Sequence, residues 1–403
     1  MNYIKRIIEP TIKELCKSFA VVAVTGPRQS GKSTTLKKIF GTKYRYISLD
    51  DLEVRASAIK DPKKFIGDLE DYCIIDEAQY SPDIFSYIKI RVDSNPSIKG
   101  RFILSGSQQF LLMKSITESL AGRVGILHMS PLSMDEMEKS GPKMTGEECF
   151  YATCLRSSYP EPFINHKIKI NQWFTGYVET YVQRDVRSLY NIGKLEEFRS
   201  FIAMLAAQAG QVMNLSRFSK GLGVVVNTLK SWVSILQASG IIYILYPYHA
   251  NISKQLTKNP KIYFIDTGLL CNQLGITSKE EVKNSPTFGS IFENYCIMET
   301  IKYFDNRNSE RRKDFCFLRD QDRLEIDLII EKGQKLYPIE IKTSGKNSDK
   351  AAENIEKLIS GYKSLPVDKG YVLSLNGTSA QISLSTSSTG LDDYFKILDK
   401  LND

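Results

Sequence analysis

The 403-residue sequence contains few histidines, no paired cysteines and no long apolar runs, and each shortage excludes a class of protein. Its three histidines are far apart, which leaves little material for a histidine-rich metal site or a Ser-His-Asp triad. The seven cysteines form no CxxC pair, so neither a disulfide framework nor a zinc cluster is predicted. No apolar run approaches the roughly 20 residues that a bilayer crossing needs. Residues 1–10 do not resemble a secretory signal. We therefore expect a cytoplasmic protein without a membrane partner.

Charge and apolar pattern divide the chain into three regions. The net charge of +8 is a small excess for this length and permits a nucleic-acid partner without requiring one. Residues 1–145 alternate short apolar runs with helical stretches, which is typical of a parallel α/β sheet. Residues 146–250 show mainly helical periodicity, and strand patterns return in residues 251–403.

A phosphate-binding loop is predicted between the apolar run 20–25 and a following helix. Residues 26–33 read GPRQSGKS, which is the GxxxxGK[ST] or Walker A pattern. Loop N–H groups and the helix dipole favour a bound phosphate, Lys32 can reach the β and γ oxygens, and Ser33 can ligate Mg²⁺. The sequence therefore predicts ATP and Mg²⁺ as cofactors. The residues expected at the nucleotide are Gly26, Pro27, Arg28, Gln29, Ser30, Gly31, Lys32, Ser33 and Thr34.

Two adjacent carboxylates follow the apolar run 72–75, as in a Walker B strand. They are expected at the carboxyl edge of the sheet, where ligands of parallel sheets bind. Asp76 suits Mg²⁺ together with Ser33, and Glu77 suits polarisation of an attacking water. Small-molecule kinases usually lack such a glutamate, so the pair favours ATP hydrolysis over phosphoryl transfer to a metabolite.

Two further side chains are candidates for the hydrolysis site. Ser105 ends a predicted strand in residues 101–104 and could contact the γ-phosphate or the water. A polar strand between the acidic and phosphate-binding strands is typical of the additional-strand class of P-loop ATPases. Arg123 precedes a fifth strand and could supply positive charge in cis or from a neighbouring subunit. An ordinary exposed arginine explains Arg123 equally well.

Residues 196–248 combine two helices, a glycine-containing turn and a strand pair, which is a winged-helix pattern. A helical module for protein partners explains this pattern equally well, because the local basic excess is small. The side chains that could contact DNA phosphates or bases are Arg217, Lys220, Asn227 and Lys230.

A second charged constellation is predicted near the C-terminus. Glu340 and Lys342 share one face of a strand because side chains alternate with period two. Together with Asp327 across a hairpin and Glu293 from a preceding helix, they would form a catalytic site. Asp327 and Glu340 would ligate Mg²⁺ or Mn²⁺, and Lys342 would orient water. An amphipathic hairpin with solvated charges is the alternative. The helix glutamate favours a nuclease-like architecture, while cleavage itself stays open.

The order of these motifs resembles a large bacterial and archaeal family of AAA+-type ATPases, in which a P-loop domain precedes a C-terminal domain of unknown function. The resemblance covers nearly the whole chain. Its segments are GPRQSGKS at 26–33, IIDEAQ at 74–79, ILSGSQ at 103–108, SLAGR at 119–123, TYVQRDVRSL at 180–189, YFIDTGLL at 263–270, GSIFENYCIMET at 289–300, and the strands EIDLII and PIEIKTS.

The resemblance implies an ATP and Mg²⁺ site at the phosphate loop, Asp76 and Glu77. It also implies a restriction-endonuclease-like fold of the PD-(D/E)XK type, with its site at Glu293, Asp327, Glu340 and Lys342. Ser157 and Ser158 depart from the family pattern, which generally has two glycines before Tyr-Pro, and this puts the tight turn there in doubt. Arg184 and Arg187 are candidates for contact with a neighbour's nucleotide, or are salt-bridged surface residues.

We therefore expect an α/β protein with three domains. An AAA+-type P-loop ATPase of the additional-strand class is predicted at 1–145, a helical and winged-helix region at 146–250, and a PD-(D/E)XK nuclease-like domain at 251–403. The expected function is Mg²⁺-dependent ATP hydrolysis coupled to DNA binding or processing, with a second Mg²⁺ or Mn²⁺ in the last domain. The alternative is a regulatory ATP-dependent switch whose degenerate nuclease-like domain binds protein partners. A homo-oligomer fits either function.

Overall fold

Internal contacts divide the chain into two units in the computed structural model. The structure describes residues 3–107, 109–141, 143–181, 195–248, 259–307, 315–321, 324–345 and 348–402. The first unit comprises Met1–Leu132 with the short segments Ala238–Gly240 and Asp305–Asn308, and the second comprises the remainder. The division near residue 132 lies before the predicted boundary at 145.

The first unit contains a five-stranded parallel sheet. Its strands are β1 (Val21–Thr25), β2 (Arg45–Ser48), β3 (Cys73–Asp76), β4 (Phe102–Gly106) and β5 (Val124–His128). They lie in the order β2-β3-β4-β1-β5, and all neighbours pair in parallel. Because β4 lies between β1 and β3, the predicted additional strand is confirmed.

Side chains of these strands alternate between two apolar layers, as period two requires. Val22 and Val24 pack with helices α1 (Glu9–Ser18) and α2 (Lys32–Phe40). Val21 and Ala23 pack on the other face. The helices that contribute to that second layer are α3 (Leu52–Lys60), α4 (Pro62–Gly67), α5 (Ile84–Asp93) and α6 (Gln109–Ser119). Burial on both faces explains why these strands are continuous apolar runs.

The first half of the second unit is helical, as predicted. Trp232 is buried among these helices, and its ring centroid lies 5.1 Å from that of Phe198 and 5.6 Å from that of Phe201. The described helices here are α7 (Met134–Glu138), α8 (Gly146–Arg156), α9 (Pro160–Ile164), α10 (Ile170–Tyr181), α11 (Leu195–Ala206), α12 (Leu215–Leu222) and α13 (Val226–Ala238). Helices α12 and α13 are joined by a short turn at Gly223, and we call these two helices with their turn the helix-turn-helix segment. The winged helix itself stays a prediction.

An eight-stranded sheet forms the rest of the second unit. Its strands are β6 (Ile242–Pro247), β7 (Lys261–Phe264), β8 (Phe315–Arg319), β9 (Glu325–Lys332), β10 (Lys335–Lys342), β11 (Gly370–Ser374), β12 (Ala380–Gln381) and β13 (Thr386–Gly390). Their order is β12-β13-β11-β10-β9-β8-β6-β7. The pair that follows the helix-turn-helix therefore belongs to the large sheet, since β6 pairs with β8. The predicted boundary at 250 falls inside one sheet.

Helices of the second unit complete its core. A buried apolar cluster joins β8, β9 and β11 to one of these helices through Ile355 and Leu358. The helices are α14 (Thr267–Gln273), α15 (Lys279–Asn284), α16 (Phe288–Asn306), α17 (Ser348–Gly361) and α18 (Leu391–Asn402). No helix within the described ranges has the length and apolar character needed to cross a bilayer. All seven cysteines lie in described residues and none forms a disulfide, and all except Cys16 are buried, as expected of core residues.

The two serines that replace family glycines form a buried polar turn after α8. Ser157 has a φ of 97°, a conformation that favours glycine. Asp266 accepts hydrogen bonds from the Ser157 hydroxyl at 3.0 Å and from the Ser158 hydroxyl and N–H, both at 2.7 Å. The hydroxyl contacts are ones that glycine could not make, so the turn is anchored by side chains.

Candidate functional site

The predicted phosphate loop connects β1 to α2, and two of its glycines are required by geometry. A Cβ on Gly26 would lie 2.2 Å from the Met129 carbonyl oxygen, and the backbone there has a φ of 147°. Gly31 precedes α2 with a φ of 94°. Side chains at these positions would clash or strain the backbone, so the loop closes against the end of β5 only with glycine.

Lys32 extends back over this loop. Its buried ammonium donates hydrogen bonds to the carbonyl oxygens of Gly26 at 2.9 Å and Pro27 at 2.8 Å. Burial lowers the pKa of Lys32 to about 8, although the carboxylates of Glu77 and Asp76 act in the opposite direction. An anion in the loop would favour the charged form of this lysine.

The remaining loop residues differ in exposure. Pro27 and Ser30 are buried, Arg28 is half-buried, and Gln29 and Thr34 are exposed. The Ser30 hydroxyl has no hydrogen-bond partner among the described residues, although it is fully buried. An unpaired buried hydroxyl costs free energy. Ser30 can therefore donate to a ligand in the loop.

Asp76 receives three hydroxyl donors at the carboxyl edge of the sheet. Ser33 donates at 2.6 Å to Oδ2, Tyr46 donates to the same oxygen, and Ser105 donates to Oδ1. Burial alone raises the pKa of Asp76, but the three donors outweigh it, and the pKa lies below its ordinary value. Ser33 and Asp76 thus place a hydroxyl and an ionised carboxylate side by side, which is the oxygen chemistry that Mg²⁺ prefers.

Glu77 is held at a sharp turn directly after β3. Its backbone has a φ of 53°, an uncommon conformation for a residue other than glycine. Its Oε2 accepts hydrogen bonds from the Ser107 hydroxyl at 3.1 Å and from the Gln79 amide. The structure therefore brings Lys32, Ser33, Asp76, Glu77 and Ser105 to one edge. The Ser105 hydroxyl bonds Asp76 there, and any contact with a phosphate stays a prediction.

Three residues of this edge were missed from the sequence. Tyr46 is the second residue of the neighbouring strand β2. Gln79 lies two residues after Glu77 in the IIDEAQ segment, which was the available signal. No local sequence pattern indicates a role for Arg6, because its hydrogen-bond partners are 24 and 124 residues away in the sequence. Its buried guanidinium donates to the carbonyl oxygens of Ser30 at 2.8 Å and Ser130 at 2.7 Å.

We expect Arg6→Ala to lower the free energy of unfolding by about 2 to 3 kcal/mol, because two buried carbonyl oxygens lose charged donors. Chemical denaturation monitored by circular dichroism would measure this change. Lys5→Ala removes a charge from an exposed neighbour and serves as the matched control. Equal stability of both variants would contradict the structural role of Arg6.

Arg123 does not lie at this edge. It directly precedes β5, and Val124 pairs with Val21, the first residue of β1. The phosphate loop follows the other end of β1, roughly 16 Å away for a five-residue strand. The Arg123 guanidinium instead pairs with Asp93, to which Nη2 donates at 3.0 Å. The geometry does not support the predicted role of Arg123 in cis, and a role in trans stays a prediction. Arg184 and Arg187 lie outside the described residues.

The predicted C-terminal side chains lie on three elements of the second unit. Glu293 is on α16, Asp327 on β9, and Glu340 and Lys342 on β10. Lys342 Nζ lies 2.9 Å from Glu340 and 3.9 Å from Asp327, as expected from their shared face. Glu340 also accepts a hydrogen bond from Asn354 at 3.2 Å.

Lys261 on β7 inserts its ammonium among the carboxylates of this cluster. Its Nζ lies 2.7 Å from Glu325, 3.1 Å from Glu293 and 3.8 Å from Asp327. Its side chain is only 1% exposed. The strand β7 lies at the edge of the eight-stranded sheet. No local sequence pattern indicates that a side chain from this strand reaches the carboxylates of β9 and α16.

Burial and mutual repulsion shift the pKa values of side chains in this cluster. Burial raises the pKa of Glu293 above its ordinary value, and Asp327 adds to the effect while Lys261 opposes it. Burial likewise raises the pKa of Glu340, again with a contribution from Asp327. The pKa of Lys261 is raised despite its burial, because three carboxylates surround it.

The residues of this cluster do not fit the predicted second metal. Within the ranges that the structure describes, no group of three or more His, Cys, Asp or Glu side chains is arranged to hold a metal ion. The reason at this cluster is that Lys261 lies between carboxylates that would otherwise face each other. The predicted metal ligands Asp327 and Glu340 are already paired with lysines.

Two mycobacterial proteins are similar to most of the chain. Uncharacterized proteins of Mycobacterium tuberculosis and Mycobacterium bovis are each 31% identical over 324 residues, which is 80% of this chain and 70% of theirs. The chain belongs to their family.

Three family models match successive parts of the chain. An AAA domain matches residues 18–138, a domain of unknown function (DUF8612) matches 147–280, and another (DUF4143) matches 288–389. The first unit is therefore an AAA-type P-loop ATPase domain. The nuclease-like assignment of the last domain stays a prediction.

Solved structures with detectable likeness include a Walker-type ATPase and a branch migration motor. A Walker-type ATPase of Pyrococcus abyssi is 13% identical, with a TM-score of 0.45, and the match covers 67% of this chain and 95% of that protein. The RuvB Holliday junction branch migration motor of Thermotoga maritima is 15% identical, with a TM-score of 0.31, covering 59% of this chain and 88% of that protein. The family assignment depends on the sequence matches above.

Proposed function

We propose that this protein hydrolyses ATP with Mg²⁺ in its first unit, and that its nucleotide state regulates DNA binding by helices α12 and α13. The observation that supports hydrolysis is the joint position of Ser33, Asp76 and Glu77 beyond the phosphate loop. Binding of ATP and Mg²⁺ without hydrolysis would require Asp76, which faces Ser33, but would not require Glu77.

Ser33 and Asp76 would hold the metal, since a hydroxyl and a carboxylate of lowered pKa are already adjacent. Mg²⁺, when bound, neutralises charge that develops on phosphate oxygens. Tyr46 and Ser105 are positioning residues, because their hydroxyls orient the Asp76 carboxylate.

Glu77 would polarise the attacking water and accept its proton. The amide of Gln79 and the hydroxyl of Ser107 hold this carboxylate at the turn after β3. Lys32 would bind the β and γ phosphate oxygens, and the unpartnered Ser30 hydroxyl would add a donor. The ATPase roles of Gly26 and Gly31 are to let the backbone wrap around phosphate.

DNA binding is proposed for the helix-turn-helix segment because its outer face is polar and basic. Arg217 and Lys220 on α12 and Asn227 and Lys230 on α13 are all exposed. Their neighbours Phe218 and Leu229 are buried, so the four polar side chains do not serve the core. Basic groups on such a face contact phosphates, and amides can read base edges.

We expect the triple variant Arg217→Ala, Lys220→Ala and Lys230→Ala to bind duplex DNA more weakly and with less salt dependence. Three lost phosphate contacts should flatten the slope of log affinity against log salt by roughly 2 to 3. Fluorescence anisotropy at several salt concentrations would measure both effects.

A matched variant controls for net charge alone. Lys335, Lys357 and Lys396 are exposed lysines of the same unit, and their replacement by alanine removes the same charge. DNA affinity that falls equally in both triple variants would contradict a specific role for the helix-turn-helix segment.

A regulatory switch that binds protein partners is the second candidate function. It is favoured by the position of Lys261, whose ammonium pairs with Glu293 and Asp327 of the predicted catalytic site. In this function the last domain would be a degenerate relative of nucleases, and ATP would control its availability to a partner.

Stimulation of ATP hydrolysis by DNA distinguishes these two functions. Phosphate release would be measured with and without duplex DNA, and with the triple variant as the control. Stimulation that the variant loses would support coupling to DNA. An ATPase rate unaffected by DNA would contradict the coupling and favour the switch.

A further inference from the structure

A buried ammonium occupies the centre of the C-terminal acidic cluster. Lys261 reaches it from β7, and Tyr263, two residues further along the same strand, donates a hydrogen bond to Glu293 at 2.6 Å. Alternation with period two places these two side chains on one face of the strand. Both contact the carboxylate that α16 supplies, since Lys261 Nζ lies 3.1 Å from it.

We infer that Lys261 is a built-in cation of this cluster, which takes the place of a divalent metal and keeps the second unit from binding one. An ammonium that is 1% exposed must be paired to be stable, and Glu325 and Glu293 supply oxygens at 2.7 and 3.1 Å. The same oxygens would otherwise be available to a metal ion.

The other carboxylates of the cluster are also occupied. Asp327 Oδ2 accepts the Ile341 N–H at 2.9 Å, and Glu340 accepts from Lys342 at 2.9 Å. Magnesium requires a nearly octahedral shell of oxygens at short distances. A lysine between the acidic side chains blocks such a shell, and its charge repels a second cation.

The expected size of this exclusion follows from the charges. The Lys261 ammonium and a divalent cation about 4 Å away would repel each other. The Coulomb energy of such a pair in a partly polar medium is large enough to weaken cation binding to the cluster by at least about a hundredfold. Removal of Lys261 should therefore create a divalent-cation site from Glu293, Glu325 and Asp327, three carboxylates that then lack their shared partner.

Mn²⁺ binding to the full chain without nucleotide tests this inference. Titration followed by electron paramagnetic resonance should show no C-terminal site in the wild type and one additional Mn²⁺ in Lys261→Ala. The additional ion should be lost in the double variant Lys261→Ala, Asp327→Ala. Any weaker site at Ser33 and Asp76 is common to all these proteins, so the differences report on the cluster.

Thermal unfolding provides a second measurement. Repelling carboxylates should lower the Tm of Lys261→Ala, and Mn²⁺ should raise that Tm by more than it raises the Tm of the wild type. Lys335→Ala, an exposed lysine that pairs with Asp368, is the matched control and should behave as the wild type. Lys261→Met retains the apolar stem of the side chain and replaces the alanine variant if that one does not fold.

Two outcomes would overturn the inference. One is Mn²⁺ binding by the wild type that disappears in Glu293→Ala, which would show a metal centre with Lys261 as a member of it. The other is a folded Lys261 variant that gains no ion. Neither result depends on ATP hydrolysis, so failure of the proposed ATPase would leave this titration unchanged.

Discussion

Replacement of Glu77 by glutamine should abolish ATP hydrolysis while ATP binding persists. The amide is nearly isosteric and can still bond the Ser107 hydroxyl, but it cannot accept a proton from water. Loss of a general base typically costs about a hundredfold to ten-thousandfold in rate. Phosphate release would measure turnover, and a fluorescent ATP analogue would measure binding.

Glu70→Gln is the matched control, since it removes the same charge from an exposed position just before β3. It should hydrolyse ATP at the wild-type rate. Turnover that survives in Glu77→Gln would exclude this carboxylate as the base. A loss of both binding and turnover would point to collapse of the turn at residues 76–79 instead of a lost chemical step.

Replacement of Lys32 by alanine should weaken ATP binding about ten- to a hundredfold, which corresponds to one or two charged hydrogen bonds. The lysine is already directed over the loop, where its partners are the carbonyl oxygens of Gly26 and Pro27. Calorimetric titration with ATP and Mg²⁺ would measure the affinity.

Lys38→Ala controls for loss of charge in the same helix, because Lys38 is exposed on α2. Its ATP affinity should equal that of the wild type. The unfolding temperature of Lys32→Ala in the absence of nucleotide shows whether the loop itself is retained. Unchanged ATP affinity in a folded Lys32→Ala protein would contradict the proposed phosphate contact.

In the first unit, short sequence patterns correctly predicted the positions of the strands and of the phosphate loop. The apolar runs located all five strands, and the motifs placed the phosphate loop between β1 and α2. Parallel strands bring their carboxyl ends to one edge, so Ser33, Asp76 and Ser105 could be expected together without coordinates. Their hydrogen bonds to one another agree with that rule.

Arg123 shows the limit of such reasoning. Arg123 precedes β5 and therefore lies at the amino end of that strand. The phosphate loop follows the carboxyl end of β1, which is parallel to β5. The direction of β5, which is parallel to β1, therefore argues against a role of Arg123 in cis. Its pairing with Asp93 joins residues 30 positions apart, which no local pattern indicates.

Local sequence patterns also could not show that residues on both sides of the predicted boundary at 250 belong to one sheet. Helical and strand-rich segments differ in period, so a boundary at 250 was the natural expectation. Sheet pairing depends on which strands meet in space, and β6 pairs with β8 across an interval of the chain whose described residues include three helices. The charged cluster therefore includes a residue from the edge strand β7.

Local sequence was sufficient for the phosphate loop, the Asp76–Glu77 pair and the shared face of Glu340 and Lys342, because loop sterics and side-chain alternation act over a few residues. Long-range folding was needed to show that Arg6 ties the loop to Ser130 and that Lys261 lies among the C-terminal carboxylates. Such contacts depend on distance in space, and a buried charge must find its partners wherever the fold places them.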